Sequence, residues 1–456
     1  MNVHFIAIGG AAMHNLALAM HQLGHQVTGS DDEIFEPSKG RLAKEGLLPS
    51  KMGWDADRIT TDLDAIILGM HARKDNPELV KALETGLRVY SYPEFIFEQS
   101  TQKTRLVIAG SHGKTTITSM ILHVLKKLDR DFDYLVGAQI EGFETMVRLS
   151  DAPVIVLEGD EYLSSPIDRR PKFHLYHPQI ALISGIAWDH INVFPTWENY
   201  KEQFSLFINS LEKGAKLIYC KKDEVLNKMV GDSSNEIERI GYQTPEHRIE
   251  NGKTILSFDG KEFRISVFGD HNLQNMSGAQ LVCAQLGIER DTFYKAIADF
   301  TGASRRLEEI GRNENTVVYK DFAHSPSKLV ATVQAVKQQW PNRKLVACME
   351  LHTFSSLTKE FLLEYKDTMK EADVAIVFYK EETLMHKKLA PISKDDVKVS
   401  FGRNDLIVYT SQQEIEADLK TRTWSETNLL LMSSGNFGGM NVDVFGAEIA
   451  SKGQTS

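Results

Sequence analysis

The sequence predicts an α/β protein built from several parallel-sheet domains, and three observations lead there. Short apolar runs alternate along the chain with stretches of helical period, the pattern of strands joined by crossover helices and covered on both faces. Two of these runs, His4-Phe-Ile-Ala-Ile8 and Leu106-Val-Ile-Ala109, pass through a glycine turn straight into a helical stretch, which is how open α/β sheets present backbone amides to a ligand. At 456 residues the chain exceeds the length over which one core keeps growing, so two to four domains are expected.

Three blocks follow from the alternation. The first opens with a strand at 4–8, turns at Gly9-Gly10 and continues as an amphipathic helix to Leu23. A second strand (26–29) ends at Ser30-Asp31, and a third (65–69) precedes a helix begun by Pro77, whose fixed φ suits a first helical position. A strand around Val89 and a helix at 93–99 complete the block, and the polar run 99–104 reads as a linker. The second block has a strand to Ala109, a helix at 117–128, and apolar strands at 154–157, 180–186 and 216–219. A hairpin at 254–267 and a helix from about Asn272 close it. The third block starts around Arg305, with strands at 317–319, 345–349, 374–378 and 429–432. No internal repeat or low-complexity tract interrupts them.

Composition narrows the function classes. Apolar content of 42% and charged content of 25% are those of a globular protein. The net charge of −10 argues against general nucleic-acid binding and against an anionic membrane surface. Cys220, Cys283 and Cys348 have no paired spacing, so neither a disulfide framework nor a cysteine-rich zinc site is expected. No apolar run approaches the roughly 18 residues of a membrane span, and the chain enters a strand at once. The cytoplasm is the expected compartment.

The most informative stretch is Gly110, Ser111, His112, Gly113, Lys114, Thr115 and Thr116, between the strand and the helix. Turn amides and a helix N-terminus face an anion there, Lys114 reaches terminal phosphates, and a Thr hydroxyl holds Mg²⁺. The glycine spacing is shorter than in the common G-x-x-x-x-G-K-[ST] form, and the plain alternative is a tight turn with a chance Lys-Thr. The flanking strand and helix favour a nucleoside triphosphate.

Ligand groups in such sheets gather beyond the carboxyl ends of the strands. The run Val154-Ile-Val-Leu-Glu158 delivers Glu158, Asp160 and Glu161 to that edge, and the strand from Ala181 delivers Asp189 and His190. Thr115 and Glu158 suit Mg²⁺, which takes few protein oxygens plus phosphates. His190 suits a second metal ion through a neutral ring nitrogen; an isolated Asp-His pair would otherwise be a surface hydrogen bond. Asn272 and Asn275 share a helix face and suit an adenine edge, or serve simply as caps. Arg305-Arg306 and Lys320-Asp321-Phe-Ala-His324 flank the start of the third block. The Gly9-Gly10 turn lacks G-x-G-x-x-G, which disfavours a nicotinamide dehydrogenase, although the same geometry serves any diphosphate.

Over nearly the whole chain these motifs resemble the Mur ligases of bacterial cell-wall synthesis. The matching residues are His4–Gly10 with Gly29-Ser-Asp31, the loop from Gly110 to Thr116, Glu158-Gly-Asp-Glu161, Asp189-His190, His271-Asn272 with Asn275, Arg305-Arg306, and Asp321-Phe-Ala-His324. The resemblance implies three domains: an N-terminal Rossmann-like UDP-binding domain (1–101), a central P-loop ATPase domain with a parallel sheet (102–303), and a C-terminal Rossmann-like domain (304–456) that closes over the site. It implies ATP and Mg²⁺ as cofactors and an acyl-phosphate route to an amide. Lys114, Glu158 and His190 would be catalytic, with Thr115, Glu158 and His190 on metal. The loop, Asn272, Asn275, Arg306, Asp321 and His324 would hold ATP; Gly9, Gly10, Ser30, Asp31 and His71 would hold the UDP-sugar.

Within the family, Asp168-Arg-Arg-Pro-Lys-Phe173, Trp188-Asp-His-Ile-Asn-Val-Phe194 and Ser433-Ser-Gly-Asn-Phe-Gly-Gly439 resemble members that attach the recycled tripeptide L-alanyl-γ-D-glutamyl-meso-diaminopimelate to UDP-N-acetylmuramate. That is the expected reaction, a step of peptidoglycan recycling, with UDP-N-acetylmuramate and a murein tripeptide as partners, neither nucleic acid nor membrane, and a monomer or weak homo-oligomer. The alternative is addition of L-alanine; a P-loop switch is a more distant one. Arg169, Arg170 and Lys172 would contact peptide carboxylates or form a solvated basic loop. Ser325 stands where the family pattern has a second histidine, and Phe204 near the place where other members keep a carbamylated lysine.

Overall fold

A computed structural model describes residues 1–140, 142–188, 193–250, 252–302 and 307–452. The chain divides into two compact units, Met1–Gln243 with Asn275–Ala296, and Thr244–Gln274 with Ile297–Ser456.

The first unit holds two sheets. The smaller is wholly parallel, with strands in the order Gln26–Ser30, Asn2–Ile6, Ala65–Leu68 and Val89–Ser91. The larger runs Glu238–Tyr242, Lys216–Cys220, Ile180–Ile183, Thr104–Ala109, Val154–Glu158, Asp133–Leu135 and Val147–Arg148, and only the last strand is antiparallel to its neighbour. Its central strands are continuous apolar runs because both faces are covered; Leu106 to Ala109 and Ile155 to Leu157 are almost fully buried. Register then places the chemistry. Ile108 pairs with Glu158 and Ala109 with Ile183, so the turn after Ala109 and the acidic tip at Glu158 lie side by side at the carboxyl edge.

The expected linker at 99–104 is instead a packed turn. Ser100 is fully buried, and its carbonyl accepts from Arg105 Nη1 at 2.8 Å while the Arg105 guanidinium stacks on Phe97. Polar composition suggested a loose connection; these hydrogen bonds are what the polar atoms serve.

The second unit holds an antiparallel sheet of His247–Glu250, Lys253–Phe258 and Lys261–Ile265, whose first strand the sequence reading missed. It also holds a six-stranded sheet in the order Glu308–Arg312, Val317–Asp321, Thr427–Met432, Lys344–Glu350, Val374–Phe378 and Ile407–Tyr409, parallel apart from its first strand. Alternate residues feed separate cores: Val317, Tyr319, Ala347 and Met349 on one face, Val318, Val346 and Cys348 on the other. That period-two division is what helices on both faces require. The three cysteines are buried. Among the described residues no helix is long and apolar enough to cross a membrane.

Candidate active site

The Gly110–Thr116 loop forms as its residues suggest. Gly110 has φ 122° and Gly113 φ 82°, both left-handed, and Cβ atoms would strike Ser184 at the first and come within 2.5 Å of Asn275 Oδ1 at the second. Gly113 is the N-cap of the helix Lys114–Lys127 and supplies no side-chain cap, and the first turn carries no acid. The positive end of the helix is therefore offered to an external anion. Ser184 Oγ holds the loop by donating to the His112 carbonyl, and Ser111 N donates to Gly185 O at 3.0 Å.

Lys114 sits among the carboxylates delivered by the neighbouring strand. Its Nζ donates to Gly110 O and to Glu161 Oε2, both at 2.6 Å. Burial alone would lower its pKa, but Glu161, Asp160 and Glu158 outweigh it and hold the ammonium above its ordinary value. Glu158 is buried, and burial raises its pKa even though Gly137 N (2.9 Å) and Thr115 Oγ1 (2.7 Å) donate to it. Thr115 and Glu158 thus present a hydroxyl and a carboxylate oxygen at contact distance, hard donors that fit Mg²⁺. Among the described residues no three His, Cys, Asp or Glu side chains cluster as a protein-only metal cage. Asp189 and His190 lie outside the described residues, as do Arg305 and Arg306.

The first sheet turn places Gly9, Gly10 and Asp31 together. Asp31 Oδ2 accepts from Gly9 N at 2.7 Å, and a Cβ on Gly9 would meet that oxygen at 2.9 Å. Burial, with the nearby Asp32, pushes Asp31 up to about 6 despite the amide bonds that favour its charge. Ser30, the other expected UDP-sugar residue of this strand end, has a fully buried hydroxyl that donates to Glu78. Glu78, also contacted by Asp55 N (2.9 Å) and by His4 (3.4 Å), is the centre of a network the sequence did not reveal. His71 occupies an exposed turn after the strand Ala65–Leu68.

The remaining candidates fall in different places. Asn275, in the first unit, faces Gly113. In the second unit Asn272 lies inside the first turn of the helix Asp270–Gln285, where its Nδ2 donates to Phe268 O at 3.2 Å; a cap would instead accept through its side-chain oxygen. Asp321 accepts from Leu307 N and Ala323 N, both at 2.7 Å, and from Thr332, so it organises the start of the third block. His324 Nδ1 is 2.8 Å from Phe322 O. Ser325 is the N-cap of the helix Pro326–Gln339. The Ser433–Gly439 turn is pinned by Glu350, a buried carboxylate that accepts from Ser433 Oγ and from Phe437 N (2.8 Å). Glu350 is a strand-end acid that the polar tip of its apolar run could have flagged.

In the basic segment, Lys172 Nζ pairs with Asp160 at 2.6 Å and Arg170 with Asp168 at 2.6 Å. These two charges are compensated within the chain, whereas Arg169 is exposed. The most consequential residue missed is Tyr200, fully buried in the helix Trp197–Ser210, whose hydroxyl lies 2.7 Å from Ser111 Oγ and donates to Glu161 Oε1 at 3.3 Å. An aromatic within an aromatic-rich helix gives no signal beyond core packing.

A parallel sheet carrying a phosphate-type loop, an acidic strand tip and a second glycine turn defines an α/β nucleotide enzyme. Three family models match successive parts of the chain: the Mur ligase family catalytic domain at 2–104, the Mur ligase middle domain at 108–283, and the Mur ligase glutamate ligase domain at 305–435. The chain belongs to the Mur ligase family and is a ligase with that family's three-domain α/β architecture. It is similar to the UDP-N-acetylmuramate–L-alanine ligase of Streptococcus mutans, 33% identical over 81% of this chain and 80% of the relative. In fold it is similar to the UDP-N-acetylmuramate–alanine ligase of Thermotoga maritima (TM-score 0.68, 22% identity, 96% of this chain and 97% of that one). It is similar also to a murein peptide ligase of Psychrobacter arcticus (TM-score 0.63, 23% identity, 100% and 99%). Similarity in fold at those identities does not separate the two reactions. The sequence relative is named for L-alanine, and this favours the alternative over the tripeptide expectation.

Proposed function

We propose that the chain joins the lactoyl carboxylate of UDP-N-acetylmuramate to the amine of L-alanine at the expense of ATP. The observation that carries this is the loop around Lys114 set against the Thr115–Glu158 pair, in a chain similar to a named alanine ligase. A carboxylate does not lose oxide to an amine at neutral pH, so it needs activation. Its oxygen attacks the ATP γ-phosphorus and ADP leaves; the amine then attacks the acyl phosphate and inorganic phosphate leaves from the tetrahedral intermediate. Two anions meet in the first step. Lys114 and the amides of the helix N-terminus draw charge off the phosphoryl oxygens. Mg²⁺, held by Thr115 and Glu158 and, by family resemblance, by His190, would supply further neutralisation. Asp31 and the Gly9-Gly10 turn would hold the uridine diphosphate, with Asn275 on the adenine nucleotide. We place the domain boundaries near 101/102 and 303/304, and the work in the bacterial cytoplasm.

A second reading, tripeptide addition, is favoured by the Asp168–Phe173 and Ser433–Gly439 motifs. Its peptide contact would fall to Arg169, since Arg170 and Lys172 already have acidic partners. Phosphate release with UDP-N-acetylmuramate, comparing L-alanine with the tripeptide, decides. Turnover with L-alanine supports the main reading; turnover with the tripeptide alone replaces it; release without either substrate sinks both.

A further inference from the structure

We infer that Tyr200 is a positioning residue that fixes the phosphate loop and its lysine through a directed hydrogen-bond ring. The bond directions follow from donor chemistry. A carboxylate cannot donate when ionised, so Tyr200 O–H donates to Glu161 Oε1. The Tyr200 oxygen therefore accepts from Ser111 Oγ–H at 2.7 Å, and Ser111 Oγ in turn accepts from Ala187 N at 2.8 Å. The other Glu161 oxygen receives Lys114, which also donates to Gly110 O. The path leaves the loop at Ser111 and returns to it at Gly110, the preceding residue.

Packing makes this ring rigid. Tyr200 and Glu161 are fully buried. The tyrosine ring meets Phe194 and Phe204 edge-on at 5.4 and 5.3 Å and stacks on Trp197 at 6.1 Å. The hydroxyl is thereby held at one point, and rigid placement of donors is what a site for developing charge needs. Without the hydroxyl, Ser111 loses its acceptor and Glu161 Oε1 loses this donor, so the grip on Lys114 loosens. The proposed ATP reaction is where this matters, and in that respect the inference rests on that reading.

The test uses the full chain and the variant Tyr200→Phe, which keeps the ring and its packing. Two readouts separate this inference from the ligase reading. Amine-reagent labelling of Lys114 in the absence of substrate, followed by mass spectrometry, is expected to run several-fold faster in the variant. The KM for MgATP is expected to rise about tenfold, the effect of losing a hydrogen bond to a charged group, with the KM for the sugar nucleotide unchanged. Ser111→Ala cuts the ring at its other end and is expected to give the same labelling change if Tyr200→Phe folds poorly. Unchanged Lys114 labelling in both variants overturns the inference, as does an equal rise in both KM values. Faster labelling in a chain that never turns over ATP upholds the positioning role and removes the ligase reading instead.

Discussion

Replacing Lys114 should cost the protein stability as well as activity, and the two effects can be pulled apart. The Lys114–Glu161 pair is 2.6 Å long, with side chains 14% and 0% exposed. Lys114→Ala leaves the Glu161 carboxylate without that cation in a fully buried place, and breaking a buried pair from one side costs about 3–5 kcal/mol. For a unit of this size each kcal/mol lowers the melting temperature by roughly 2–4 °C, so a drop of about 6 °C or more is expected. Lys114→Ala with Glu161→Gln removes the carboxylate charge as well, and Gln still offers an acceptor to Tyr200, so most of the lost stability should return. Phosphate release should stay abolished in both variants, because neither has an ammonium at the loop. Calorimetry and the release assay on the two variants measure both quantities. A single variant that melts like the wild type, or a double variant as unstable as the single one, would refute the electrostatic argument. Wild-type-like turnover of either would refute the catalytic one.

Glu158→Ala removes the carboxylate that faces Thr115, and the Mg²⁺ concentration for half-maximal activity should rise at least about tenfold; a superimposable titration would count against this pairing. Gly113→Ala imposes a left-handed non-glycine residue and a contact at 2.5 Å with Asn275 Oδ1, a strain of about 1–3 kcal/mol that should show as weaker MgATP binding in calorimetric titration. Asp31 carries a pH signature. Its folded pKa of about 6 exceeds the ordinary 3.8, so between those values the folded state binds more protons and stability falls as pH rises. Asp31→Asn abolishes that fall, and relative to wild type it should gain about 2 kcal/mol between pH ~4.5 and ~7.5 in denaturant titrations. An equal difference at both pH values would remove the burial argument.

Local signals were legible and tertiary ones were not. The strand–turn–helix around Gly110–Thr116 could be read because every part of it is contiguous, and the acidic tip at Glu158 because an apolar strand must end somewhere polar. The strands Asp133–Leu135 and Val147–Arg148 escaped notice because they are too short to show a period. The basic run at Arg169–Lys172 read equally as a peptide-contact surface or as a solvated loop. Whether its charges are available depended on Asp160 and Asp168, and sequence spacing says nothing of the distance from Lys172 to Asp160. The family was legible from motif order. The amine was not, because the motifs that distinguish it lie in turns whose partners, such as Glu350 beneath Ser433, come from other strands.

The central claim is that cleavage of ATP at the Lys114 loop passes through the sugar-nucleotide carboxylate. UDP-N-acetylmuramate labelled with ¹⁸O in its lactoyl carboxylate tests this directly, with the released phosphate read by mass spectrometry. The expected result is one ¹⁸O carried into phosphate for each amide formed, because the bridging oxygen of the acyl phosphate departs with it. Phosphate free of label, with amide formed, would contradict the claim.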